Sequence, residues 1–273
     1  MLKDITLGQF FPLDSPIHKL DPRLKIMFTL AFIVLVFFAD SIPGYLAVML
    51  FLGITVKLSK IKFRIVLKSA KPLLFIIIFT SIINLFFTGG ENVVFQWKFL
   101  KITETGIVNA VNMALRLLFL VMGSSLLTYT TSPIMLTDGI ERLLSPFAKI
   151  GLPAHELAMM MTIALRFIPT LLEETEKIIM AQKARGADFE SGNIFKKAKA
   201  LIPVLVPLFI SSFRRADELA TAMECRCYRG GKNRTSMKQL KICGIDWVAL
   251  AVMIVFTACI VLIDIFNLNI MGY

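Results

Sequence analysis

Five long runs of this chain are dominated by apolar residues, near 24–40, 42–58, 71–88, 106–129 and 245–267, and few charges interrupt them. A hydrocarbon core about 30 Å thick needs roughly 20 helical residues, so each run predicts a membrane-spanning helix. The first run is expected to be retained, because no small-residue cleavage site follows it and a second run does. Residues 130–244 read differently. Their apolar positions recur at helical spacing but alternate with charge, and no stretch there reads as a convincing strand.

Three helices fit that middle region. "SPIMLTDGIERLLSPF" offers Ser132 as N-cap and Pro133 at the first helical position. In "PAHELAMMMTIALRFIPTLLEETEKIIMAQKARG", residues Leu157, Met160, Met161, Ala164, Leu165, Ile168, Leu171 and Leu172 recur at helical spacing. "FKKAKALIPVLVPLFISSFRRADELATAMECRCYRGG" carries a nearly continuous stripe through Leu205, Phe209, Ser212, Phe213, Ala216, Ala220 and Met223. Both long helices are too apolar for a solvated domain, yet their second halves are too charged to cross a bilayer. Pro169, Pro203 and Pro207 predict kinks, since each removes a helix hydrogen bond. Met-rich stripes serve either as plain core or as a surface that repacks against a moving partner. On the second view, Met160, Ala164, Ser212, Ala216, Ala220 and Met223 are the partner-packing candidates.

Composition agrees with the pattern: 56% of the 273 residues are hydrophobic, with a mean hydropathy of +0.74. The expectation is an all-α integral membrane protein with four spans in 1–129, an inserted helical domain in 130–244 and a last span with a short tail in 245–273. The segment "KLSKIKFRIVLKSAK" holds Lys57, Lys60, Lys62, Arg64, Lys68 and Lys71 with no acid among them, which assigns it to the cytoplasm. The loop after the third span balances Lys98 and Lys101 against Glu91 and Glu104, which assigns it outside. The N-terminus and the inserted domain are then cytoplasmic and the C-terminus external. The net charge of +11 is accordingly read as partly topological, fitting anionic lipid or an acidic partner surface better than nucleic acid. Cys225, Cys227, Cys243 and Cys259 lack the paired spacing of a metal site, so no metal or bound cofactor is expected. At the N-terminal entry, Asp21 suits an N-cap and Pro22 the position after it, while His18 and His155 have no neighbouring acid–nucleophile set and read as structural.

The two long helices end alike. Ala184-Arg185-Gly186 closes the first and Cys225-Arg226-Cys227 the second, each placing an arginine after a small residue. Glycine at the end of a helix with a cation nearby is ordinary capping, and it accounts for the first site better than for the second. Two such ends also look like two plugs for similar sockets, because a planar guanidinium grips a carboxylate bidentately. Together with "SPIHKLDPRLK", the stretches "RFIPTLLEETEKIIMAQKARGADF" and "PLFISSFRRADELATAMECRCYRGG" resemble the transmembrane T component of energy-coupling factor (ECF) vitamin and metal transporters, the cobalt-type transport permease family. The resemblance covers essentially the whole chain. In that family the two arginine motifs are usually Ala-Arg-Gly, so the second departs from the pattern at Cys225 and Cys227.

The resemblance implies a non-catalytic scaffold that joins two ATP-binding cassette ATPase subunits to a small membrane-embedded substrate-binding subunit. Its long helices would dock in the ATPases, and ATP and magnesium would be held there. The chain itself has no G-x-x-x-x-G-K-[ST] phosphate loop. A membrane-embedded enzyme is the first rival, but Arg116, Asn84, Asp40, Asp246 and Asp264 are few and scattered for such a site. A self-sufficient carrier or channel is the second, against the absence of a clear inverted repeat. Arg116, in mid-span, is either held within the bundle or turned to a partner subunit.

Overall fold

In the computed structural model, the described residues are 10–39, 41–87, 93–97, 100–151, 153–189, 193–230, 240 and 242–271. Asp40, Glu91, Lys98 and the end of the C-terminal tail lie outside them. In order come α1 (Pro22–Phe38), α2 (Ile42–Ser59), α3 (Phe63–Lys68), α4 (Leu74–Phe87), α5 (Glu104–Thr130), α6 (Pro133–Leu144), α7 (Ala154–Ala184), α8 (Ile194–Cys225) and α9 (Gly244–Met271). The fold is helical, as expected. One small addition is an antiparallel hairpin, β1 (Val93–Trp97) with β2 (Leu100–Thr103), in the loop after α4. Its β-branched and aromatic residues were legible only as loop because the strands are so short.

Among the described residues, five helices are long and apolar enough to cross a membrane: Ile42–Ser59, Phe63–Phe87, Glu104–Thr130, Ala154–Ala184 and Gly244–Phe266. The number matches the sequence reading, but the membership differs. α1 has 17 residues, about 26 Å at 1.5 Å per residue, which is the short limit for a span. α7 enters because its charges crowd into its second half and leave an apolar first half.

The chain divides into two compact units, 8–139 with 240–273 and 1–7 with 140–239. In the larger unit, α1, α2, α5 and α9 surround a core of Val36, Val48, Phe119, Met122, Phe256 and Ile260. Phe51 stacks on Phe256 with ring centroids 4.1 Å apart, and Phe32 lies 6.0 Å from Phe51 and 6.4 Å from Phe256. Three helices thus share one aromatic stack. α5 reaches it through Gly123, where a Cβ would lie 2.4 Å from Cε1 of Phe32. Only glycine permits that approach, as at many close helix contacts in membranes.

Polar ties close the helix ends. Asp21 caps α1, its carboxylate accepting from the Arg23 amide at 2.9 Å, with Pro22 next as the sequence predicts. Ser132 likewise accepts from the Met135 amide at 3.3 Å. Asp246 is buried, accepts the Asp21 amide at 2.9 Å and the Cys243 amide at 2.7 Å, and so joins the starts of α1 and α9. Buried Lys25 donates to the carbonyls of Thr130 at 3.0 Å and His18 at 3.2 Å, closing the end of α5. Toward the opposite end of the unit, Arg116 donates to the Tyr45 hydroxyl at 3.4 Å, and its guanidinium lies 5.7 Å from the Phe37 ring centroid. Of its two readings, the geometry favours the one within the bundle.

His18 is structural too. Its Nε2 donates to the Phe11 carbonyl at 2.9 Å and its Nδ1 accepts from the Ser15 hydroxyl at 2.7 Å, a pattern that suits the neutral ring. Burial holds its pKa below the ordinary 6.5, and the nearby Lys25 charge adds to this. The unfolded chain therefore binds this proton more readily, so the contribution of His18 is present above pH 6.5 and is lost as pH falls below it.

Gly123→Leu is expected to lower thermal stability in detergent by about 1–3 kcal/mol through overpacking against Phe32, whereas Gly53→Ala, which meets nothing within 4 Å, is expected to be neutral or slightly stabilising. Melting curves from pH 8 to pH 5 are expected to show acid destabilisation that shrinks in His18→Asn; an unchanged slope would remove His18 as a contributor.

Candidate functional site

The smaller unit is built on α7 and α8, which lie antiparallel. The Arg215 guanidinium donates to the Glu174 carboxylate, Gln182 Nε2 donates to the Pro203 carbonyl at 3.4 Å, and Met159 and Ile163 share a cavity with Leu219 and Met223. These ties pair late α7 with early α8 and early α7 with late α8. The Gln182 bond has a local cause. Pro207 lacks an N–H, so the carbonyl four residues earlier, that of Pro203, loses its helix partner, and Gln182 supplies one. Both helices run unbroken through their prolines. His155 Nδ1 meets Glu141 Oε1 at 2.8 Å and fixes the start of α7 against the end of α6.

Each long helix ends in the same closed turn. After α7, the Gly186 amide donates to the Lys183 carbonyl at 3.0 Å and the Ala187 amide to the Gln182 carbonyl at 3.0 Å. After α8, the Cys227 amide donates to Glu224 at 2.8 Å and the Tyr228 amide to Met223 at 3.0 Å. Both are Schellman motifs with the arginine as C-cap and the next residue left-handed. Gly186 has φ +86° and Cys227 has φ +57°. The second motif thus keeps the geometry of the first without the glycine, although a side chain in that conformation costs on the order of 1–2 kcal/mol. In sequence Cys227 weakens the capping reading at the second site, whereas in the structure the two turns are equivalent.

The helices have 31 and 32 residues, or about 47 Å each at 1.5 Å per residue. Because they are antiparallel, Arg185 and Arg226 stand at opposite ends of the pair. Both are exposed, and among the described residues neither guanidinium makes an ion pair. At the Arg226 end the cavity between the helices measures about 510 Å³ and is lined by Met159, Met223, Arg226, Tyr228 and Arg229 among others.

The partner-packing candidates separate into two stripes. On α8, Ser212 and Met223 are half-buried, on a side with Arg215 and Leu219, which face α7, while Ala216 and Ala220 are exposed. On α7, Met160 and Ala164 are exposed one turn apart. The four cysteine thiols are free and exposed.

The match to known proteins extends along most of the chain. The cobalt transport protein family, CbiQ, matches residues 14–237. The energy-coupling factor transporter transmembrane protein EcfT of Clostridium kluyveri is 59% identical over 250 residues, 91% of this chain and 93% of that protein. The EcfT of Ruminiclostridium cellulolyticum is 54% identical over 264 residues, covering 97% of this chain and 98% of its own length. At greater distance, the EcfT of Lactococcus lactis is 44% identical over 261 residues, with 96% and 98% covered. Because the family model spans both arginine-ended helices and these relatives are 44–59% identical over most of the chain, the chain belongs to the EcfT family of energy-coupling factor transporter transmembrane proteins.

Proposed function

We propose that this chain is the scaffold through which two ATPase subunits drive a small membrane-embedded substrate-binding subunit in the uptake of a vitamin or transition-metal ion. The observation that carries the reading is the pair of equivalent helix ends, each presenting an exposed arginine, at opposite ends of α7 and α8. One arginine per ATPase follows from that separation, since a single socket could not reach both. Hydrolysis belongs to the partners, which hold ATP and magnesium; this chain transmits their closure as a movement of the two helix ends.

The supporting arrangement has three parts. The spans of 1–129, with α1 as a short first span, and of 245–273 anchor the chain in the cell membrane, with the N-terminus and the domain of 130–244, α7 included, cytoplasmic and the C-terminus external. That orientation rests on the six cations from Lys57 to Lys71. The exposed face at Met160, Ala164, Ala216 and Ala220 receives the substrate-binding subunit, small residues allowing close approach and methionine allowing repacking. A lone carrier or channel would have no use for two matched arginine ends, and it would not retain ATPases on purification.

Removing an arginine that pairs with a buried carboxylate is expected to cost on the order of 2–5 kcal/mol at that contact, against under about 1 kcal/mol for loss of a helix cap. Arg185→Ala with Arg226→Ala is therefore expected to leave a folded membrane protein that loses substrate uptake and ATPase co-purification, and lysine at both positions is expected to rescue only in part. Wild-type uptake and co-purification in the double variant would reduce both residues to caps. Cys227→Gly relieves the left-handed strain and is expected to raise stability by about 1 kcal/mol in thermal melts while leaving uptake intact. Lost uptake in that variant would give the Cys227 side chain a role beyond the turn.

A further inference from the structure

The larger unit, which holds α1, α2, α5 and α9, has a cavity of its own. It measures about 240 Å³ and is enclosed by α1, α2, α5, α9 and the segment leading into α1. Its inner wall is buried, with Phe32, Leu52, Leu126 and Met253. Its mouth is not: Leu58 is 50% exposed, Val248 64% and Val252 50%. The crevice thus opens sideways between α2 and α9, where the surroundings of a spanning bundle are lipid. An apolar cavity of about 150 Å³ already stays dry and accepts benzene, so this volume suits a run of methylenes better than water.

The same end of the unit is strongly basic. Leu58 and Thr55 line the crevice on the last turns of α2, and the chain then carries Lys57, Lys60, Lys62, Arg64, Lys68 and Lys71, all exposed and with no acid between 57 and 71. Lys60 sits in a left-handed turn at φ +58°, which ends α2 and starts the elbow. Phe63 and Leu67 project from α3 among these cations and are largely exposed, while Val66 of the same helix is buried in the core. Cations interleaved with exposed apolar side chains suit the headgroup layer, and basic pockets between spans bind anionic headgroups. Lys25 also borders the crevice, but its ammonium is turned to the Thr130 and His18 carbonyls. Headgroup recognition therefore falls to the elbow.

An apolar crevice open to lipid, with cations only at one end, matches an amphiphile with an anionic head. A free phosphate would leave the crevice unused, and a zwitterionic lipid would leave the cations without preference. We propose that the crevice holds an acyl chain of an anionic phospholipid whose phosphate rests on the Lys57–Lys62 elbow. The proposal needs only that the basic end of the unit lies at a headgroup layer, and it is independent of the coupling reading.

Trp247, beside Val248 at the mouth, provides a built-in reporter once Trp97→Phe removes the other tryptophan. The full chain is reconstituted in phosphatidylcholine vesicles containing brominated-chain phosphatidylglycerol or, at equal mole fraction, brominated-chain phosphatidylcholine. Quenching by the anionic lipid is expected to exceed that by the zwitterionic lipid by about twofold or more, and Lys57→Gln/Lys60→Gln/Lys62→Gln is expected to bring the ratio to about one. Ala249→Phe, which fills the crevice, is expected to do the same with the lysines intact; Thr55→Leu is a smaller filler for use where that variant does not fold. Equal quenching by the two lipids in the unsubstituted chain overturns the proposal. So does an excess that survives crevice filling, because it would come from diffuse enrichment around the protein.

Discussion

Every helix end leaves backbone amides or carbonyls without an intrahelical partner, and in hydrocarbon no water is present to satisfy them. The structure depends on how those groups are closed. Asp246 accepts two amides and so binds the start of α9 to the start of α1. Lys25 bonds the last carbonyl of α5 from a side chain on α1. Ser41, Thr103 and Ser132 close further helix starts through their hydroxyls. With the ends fixed this way, close contacts such as Gly123 against Phe32 become possible, because the helices have little freedom to slide apart.

The same requirement shapes the smaller unit. Pro207 deprives the Pro203 carbonyl of its partner, and Gln182 restores one from the last turn of α7. A defect in one helix thus becomes a tie between two. At the far ends, the Schellman turns satisfy the last carbonyls with backbone amides alone, which leaves the arginine side chains outside the capping network. A guanidinium consumed by its own helix could not grip a partner. In the proposed scaffold this division of labour lets the helix ends stay rigid while their side chains reach outward.

The two units differ in how they bury their apolar residues. α1, α2, α5 and α9 enclose a continuous core with an aromatic stack, whereas among the described side chains α7 buries only Ala154 and Ala158 and α8 only Val204. Exposed Met160, Leu205, Phe209 and Phe213 leave a broad apolar surface on the pair. Surfaces of that kind mark contact with lipid or protein. A pair of helices that depends on its surroundings for cover is suited to changing those contacts, which a tightly packed bundle resists.

Much of this was legible in the sequence because its signals are local. Long apolar runs predict spans, Asp21-Pro22 and Ser132-Pro133 predict helix starts, and the small-residue–arginine endings mark the two helix ends. Each depends on neighbours within about one helical turn. What tertiary structure alone decided involves residues far apart in the chain. Asp246 looked like a stray charge near a helix end until folding brought it to the Asp21 amide. Gln182 carried no signal, since its use depends on a proline 25 positions later. The stripe through Ser212, Ala216, Ala220 and Met223 reads as one face in sequence, and only packing against α7 leaves Ser212 and Met223 half-buried and Ala216 and Ala220 exposed. Sequence periodicity fixes which residues share a side of a helix, but what that side meets is set by long-range packing.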